Sequence, residues 1–115
     1  MKSYSQGDTA MFHLQLLSKT IDLKKYPFTK LIIEKNITNE EYNDLLELLH
    51  VLNQKYELQK EEGLLDFSSL LINFAGMLNE KLHPDETILA LKKEGYYHDL
   101  MDSFLGILNE KKRFK

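Results

Sequence analysis

The stretch TNEEYNDLLELLHVLNQKYELQKEEG, residues 38–63, decides the fold. It opens on a capping box, with Thr38 placed to accept from the amide of Glu41 and Glu41 placed to reach back to the amide of Thr38. It closes on Gly63, the residue type that ends helices in a left-handed conformation. In between, Tyr42, Leu45, Leu49, Leu52 and Tyr56 follow a 3-4-3-4 spacing, which is the seam of coiled-coil packing. Leu46 widens that seam, and Leu48, Val51 and Leu58 form a second flank. The apolar arc spans roughly 240°, about twice what a helix needs to bury one face. Only the strip of Asn43, Glu47, His50, Gln54 and Glu57 is cleanly polar. A single small domain can hardly cover such a helix, so the spacing predicts a partner.

The segments on either side are also helical in pattern. Asp8 or Thr9 is placed to cap a first helix running to about Leu23. One stripe of it is Met11, Leu14, Leu17 and Ile21; Phe12, Leu16 and Leu23 point to a different side, so this helix is two-sided as well. Residues 1–7 are polar and are expected to be disordered. Pro27 suits the first turn of a short helix over 28–35, closed by Asn36 in a left-handed conformation. Downstream, Asp66 is placed to cap a helix from Phe67 to about Leu82, with Phe67, Leu70, Leu71, Phe74, Ala75, Met77 and Leu78 as its buried face. Gly76 falls opposite that face, either as a tolerated surface glycine or as the point of close approach of another backbone. His83-Pro84-Asp85-Glu86 opens a short helix that stops at Gly95. The last helix, from about Tyr97 to Lys112, carries one clean face: Tyr97, Leu100, Met101, Phe104, Ile107 and Leu108.

Composition bounds the rest. The chain has 115 residues, 43% apolar and 29% charged, which suits one domain with a modest core over residues 8–115. A net charge of −3 builds in no attraction to nucleic acid or anionic lipid. The basic end, Lys111, Lys112, Arg113 and Lys115, sits where cations favour a helix C-terminus and reads as a solvated end. There is no cysteine, hence no disulfide, thiolate metal site or thiol nucleophile. No run approaches the roughly 18 apolar residues of a membrane span, and the N-terminus lacks a signal-peptide core, so the cytoplasm is the expected location.

Chemistry has few candidates. Glu47-Leu-Leu-His50 and Glu80-Lys-Leu-His83 repeat the Glu-x-x-His pair of di-iron bundles. Ligands of that kind project inward, whereas Glu47 and His50 share the polar strip and Glu80 and His83 point away from Phe67, Phe74 and Leu78. These four residues therefore read as surface residues, unless they meet across subunits. His13, His50, His83 and His98 are dispersed along the chain. His98 with Asp102 reads as a solvated i, i+4 pair, and His98-Asp99 alone is too short a signature for a metal phosphohydrolase. Ser68-Ser69 sits at a helix start, where serine belongs, and no phosphate-binding glycine loop exists. The sequence therefore points to no catalytic, cofactor-binding or metal-binding residue.

Three stretches carry a resemblance: residues 17–28 (LSKTIDLKKYPF), 74–82 (FAGMLNEKL) and 86–101 (ETILALKKEGYYHDLM). Together they resemble the small bacterial YhaI-like family, a domain of unknown function, over about Leu16 to Phe104. The resemblance implies an all-helical fold whose subunits intertwine as a homotrimer. It implies no enzyme activity, ligand or metal, and supplies no functional residue. The expectation is thus an all-α, multihelical bundle acting as a non-enzymatic assembly or protein-interaction module, its first and long helices exchanged between copies. The alternatives are a binding protein for an apolar ligand or a regulatory partner and, behind it, a metal-dependent enzyme built on the two Glu-x-x-His pairs.

Overall fold

The computed structural model describes residues 6–113, with side chains described from Gly7 to Lys111. It consists of α1 (Gln6–Ser18), a 3-10 turn (Leu23–Lys25), α2 (Pro27–Glu34), α3 (Asn39–Glu61), α4 (Ser68–Met77), α5 (Pro84–Glu94) and α6 (His98–Arg113). The architecture is all-α. The polar N-terminus expected at 1–7 lies mostly outside the described residues, and Gln6 and Gly7 already belong to α1.

Local sequence sets most of the helix ends. Thr38 Oγ1 accepts from the Glu41 amide at 3.1 Å and Glu41 Oε1 accepts from the Thr38 amide at 2.9 Å, so the capping box forms as predicted. Gly63 takes φ +79, and the Leu64 amide reaches back to the Gln59 carbonyl at 2.8 Å, closing α3 in a Schellman arrangement. Asn36, at φ +56, does the same for α2, with the Ile37 amide on the Ile32 carbonyl. Gly95, at φ +94, closes α5. Pro27 and Pro84 occupy first turns, where no amide donor is needed.

Three boundaries differ from expectation: α1 begins at Gln6, ahead of the expected caps Asp8 and Thr9, and both α1 and α4 end early. α4 stops at Met77 rather than running to Leu82, because Leu78 turns to extended backbone at ψ 141°. Asn79 then competes with the helix: its Oδ1 accepts from the Lys81 amide at 2.9 Å and its Nδ2 donates to Glu41 Oε2 at 2.8 Å. Ala75 and Met77, expected in the buried face, are exposed; they sit at the two edges of the narrower stripe Leu70, Leu71, Phe74, Leu78. α1 likewise ends at Ser18, where the hydroxyl of Ser18 donates to the Gln15 carbonyl and that of Thr20 to the Leu17 carbonyl.

The body is built by α5 packing on α6 and on α2, with α3 on α4 and α4 on α6. Phe28, Leu49, Leu52, Phe74, Ile88, Leu91, Leu100, Met101 and Phe104 are fully buried. Rings bridge the elements: Phe74 and Phe104 lie 5.8 Å apart, Tyr56 and Phe67 4.7 Å, and Phe28 meets the edge of Tyr96 at 5.1 Å. Two polar ties join distant segments. Glu94 accepts from both the amide and the hydroxyl of Thr29, docking the start of α2 on the end of α5. Lys81 Nζ sits 2.7 Å from Glu41 Oε1 and also donates to the Asn36 carbonyl, binding the α4–α5 connection to the start of α3.

α1 stands apart from this body. The molecule measures 67 × 26 × 24 Å, with a radius of gyration of 17.5 Å, against about 13 Å for a compact chain of this size.

Candidate interaction surface

Two apolar surfaces are left uncovered, and each follows from the periodicity that builds its helix. The first is α1. Every side chain from Gly7 to Asp22 is exposed. Met11 is 60% exposed, Phe12 55% and Leu14 56%, and Leu16, Leu17 and Ile21 are comparably open. The two stripes lie on roughly opposite sides of the helix at 3.6 residues per turn. A 13-residue helix is marginal in water by itself and depends on packing to persist. These side chains form an apolar surface on the order of the roughly 300–600 Å² that is the largest patch of an ordinary monomer, on one short helix. The α1–α2 connection is ordered: Asp22 Oδ1 accepts from the Lys24 amide at 3.1 Å, and the Tyr26 amide reaches the Leu23 carbonyl.

The second surface is the far flank of α3 with the outer edge of α4. The seam residues Leu45, Leu49, Leu52 and Tyr56 are buried inside the chain, and Tyr42 is half-buried. The flank is not covered: Leu48 and Val51 are half-buried and Leu58 is exposed. With Met77, at 68% exposure, Leu48 and Val51 border an open groove of about 500 Å³ between α3 and α4, rimmed on one side by Asp44 and Glu47. A smaller depression of about 110 Å³ continues it toward Leu78 and Glu41. Ile72, Leu64 and Leu65 are further exposed apolar residues of α4 and of the connection before it. Gly76 is exposed, and a Cβ placed on it meets nothing within 4 Å of the same chain. Within one chain it is thus a surface glycine, with open space in front of it.

Two other depressions have different linings. Ile32, Ile33, Ile37 and Tyr42 line a shallow one of about 270 Å³ between α2 and α3. The α2–α5 junction holds one of about 340 Å³, with Lys24, Lys30 and Lys93 balanced by Glu34 and Glu86 over Leu31 and Ala90. All are open to solvent.

The residues singled out for chemistry stay apart. Glu47 and His50 are exposed on the polar strip of α3, as are Asn43, Gln54 and Glu57. Glu80 and His83 are exposed too, but they do not share a helix: Glu80 falls in the turn after α4 and His83 precedes Pro84 as the residue before α5. The Glu-x-x-His spacing is therefore lost at the second pair, because α4 ends early. Among the described residues no three His, Asp or Glu groups lie together as a metal-holding set. His98 Nδ1 is 3.5 Å from Asp102 Oδ2, and Lys92 also pairs with Asp102 and holds its carboxyl below the usual range. Ser68 and Asp66 form a helix start, with the Ser68 amide donating to Asp66 Oδ1 at 3.0 Å. Among basic residues at the C-terminal end, Lys111 is exposed, and the side chains beyond it lie outside the described residues.

The strongest electrostatic perturbation is structural. The hydrogen bond from Lys81, with those from the Thr38 amide and Asn79, holds the Glu41 carboxyl down from 4.5 to about 2. Burial, helped by the neighbouring Tyr42 hydroxyl, pushes the Tyr96 phenol up. No helix among the described residues is long and apolar enough to cross a membrane. Sequence reasoning found the uncovered flank of α3 and the two stripes of α1 from periodicity alone. It missed Met77 as part of the same groove, since that required knowing where α4 ends.

The family described as "Protein of unknown function (DUF1878)" matches residues 5–109. The match covers almost the whole chain and reaches into α1.

Proposed function

We propose that this chain, which belongs to the DUF1878 family of proteins of unknown function, is a non-enzymatic assembly module whose partner is another copy of itself. The observation that carries the reading is α1: a helix apolar on two opposite sides, with every side chain from Gly7 to Asp22 exposed in the single chain. Burying large apolar side chains contributes about 1.5–3 kcal/mol each, so a helix that leaves five of them wet, with Ile21 just beyond its end, is complete only when something covers it. The resemblance to the YhaI-like family favours an intertwined homotrimer. The two opposite stripes supply the need for a partner, and the number three rests on that resemblance alone. The reading takes the particle to be cytoplasmic, without nucleic acid or membrane as a partner and without a cofactor.

Light scattering of purified protein at micromolar concentration tests it. The expected mass is a multiple of 13.5 kDa, three-fold for the trimer. A stable, well-folded particle of 13.5 kDa would overturn the proposal. The apolar-ligand alternative has less support, since the depressions between helices are open grooves rather than an enclosed apolar chamber.

A further inference from the structure

We infer that α1 of one copy lies lengthwise, antiparallel to α3, in the groove between α3 and α4 of another copy. This rests on the reading that the chain self-associates and adds which surfaces meet. Three observations on the two surfaces agree. Their lengths are compatible: the apolar stretch of α1 from Met11 to Leu17 spans about 9 Å, and the groove-lining side of α3 from Asp44 to Leu52 spans about 12 Å. Their chemistry matches: from Thr9 to Ser18 α1 carries no Asp, Glu, Lys or Arg, and the groove wall is Leu48, Val51, Leu52 and Met77. Their charges set a direction. Lys19, Lys24 and Lys25 follow α1 and outnumber Asp22 among them, and Asp44 and Glu47 are the acids that line the groove, near the start of α3, so the end of α1 belongs at the start of α3. That antiparallel placement also opposes the two helix dipoles.

The occupant is a second copy rather than the chain's own α1 or a foreign helix. The chain's own α1 is exposed on all sides, so it does not fill the groove beside it. A foreign helix would leave α1 itself uncovered, whereas exchange between copies covers the groove and one stripe of α1 at once, in equal numbers.

The absence of cysteine makes the test clean. A Leu14→Cys chain and a differently tagged Val51→Cys chain are mixed by refolding together and oxidised. A disulfide joining the two tags is necessarily intermolecular. The expected result is that this heterodimer forms at least tenfold more than the one between Leu14→Cys and Ile33→Cys, which probes the α2–α3 depression. Leu17→Cys with Met77→Cys serves as a second pair if the Val51 variant folds poorly. Equal or preferred linkage to Ile33→Cys, or Leu14→Cys chains linking only to each other, within a particle still multimeric by light scattering, overturns the groove assignment and leaves self-association standing. A folded monomer with no intermolecular disulfide removes both.

Discussion

α1 and α6 start from similar material and end in opposite states. Both are helices of three to five turns with large apolar side chains at helical spacing. In α6 the apolar residues form one face, and Leu100, Met101 and Phe104 are fully buried against α5 and α4. In α1 they form two faces, and none is buried. A single stripe is a specification that one chain can satisfy, because one neighbouring surface covers it. Two opposite stripes ask for two neighbours, and the α1–α2 connection supplies neither. α3 lies between the two cases: its heptad seam is satisfied inside the chain and its Leu48–Val51–Leu58 flank is not.

The largest effect expected is on the satisfied side. Phe104→Ala removes a fully buried ring packed on Phe74 and should cost about 3–5 kcal/mol of stability, read by urea denaturation. A cost under 1 kcal/mol would mean that α6 is less committed to the core than its burial states. The matching change in α1 should behave differently. Met11→Ser, Leu14→Ser and Leu17→Ser together remove the main stripe without touching a buried residue. Association should weaken by at least a hundredfold in sedimentation, with the far-UV spectrum of the body retained. An unchanged particle mass would show that the stripe covers nothing.

A smaller change sharpens the position of α3. Leu48→Ala with Val51→Ala should weaken assembly more than Gln54→Ala with Glu57→Ala on the polar strip. Equal effects would mean that the flank is covered within one chain. The smallest effect is a pH dependence inside the body. Glu41 has its carboxyl held down to about 2, so its contribution is fully present above pH 4.5 and is lost as the pH falls from there toward about 2. Glu41→Gln should flatten the fall in melting temperature over that window. An unaltered slope would assign the acid sensitivity to other carboxylates.

Much of this was legible in the sequence, for identifiable reasons. Caps and stops are local: Thr38 with Glu41, Asn36, Gly63 and Gly95 act through backbone atoms within six residues, and all four appear where the sequence puts them. The seam of α3 and the single face of α6 were legible because their periodicity coincides with what one chain buries. The end of α4 was not. It depends on Asn79 and Lys81 reaching Glu41, some forty residues away, and a window of local pattern contains no such contact. With that end misplaced, Glu80 and His83 read as a helical pair and Met77 as core. The candidate surface was legible as an excess of apolar residues; which excess faces which needed the geometry of the groove.

Hydrogen exchange of the α1 amides measures directly whether the helix is covered in solution. A 13-residue helix exposed to water on all sides opens readily and exchanges fast. In native protein at micromolar concentration the amides of residues 10–18 should be protected to a degree approaching those of α6, and should lose protection on dilution as the particle mass falls. Fast, concentration-independent exchange over residues 10–18, beside a protected α6, would contradict the account.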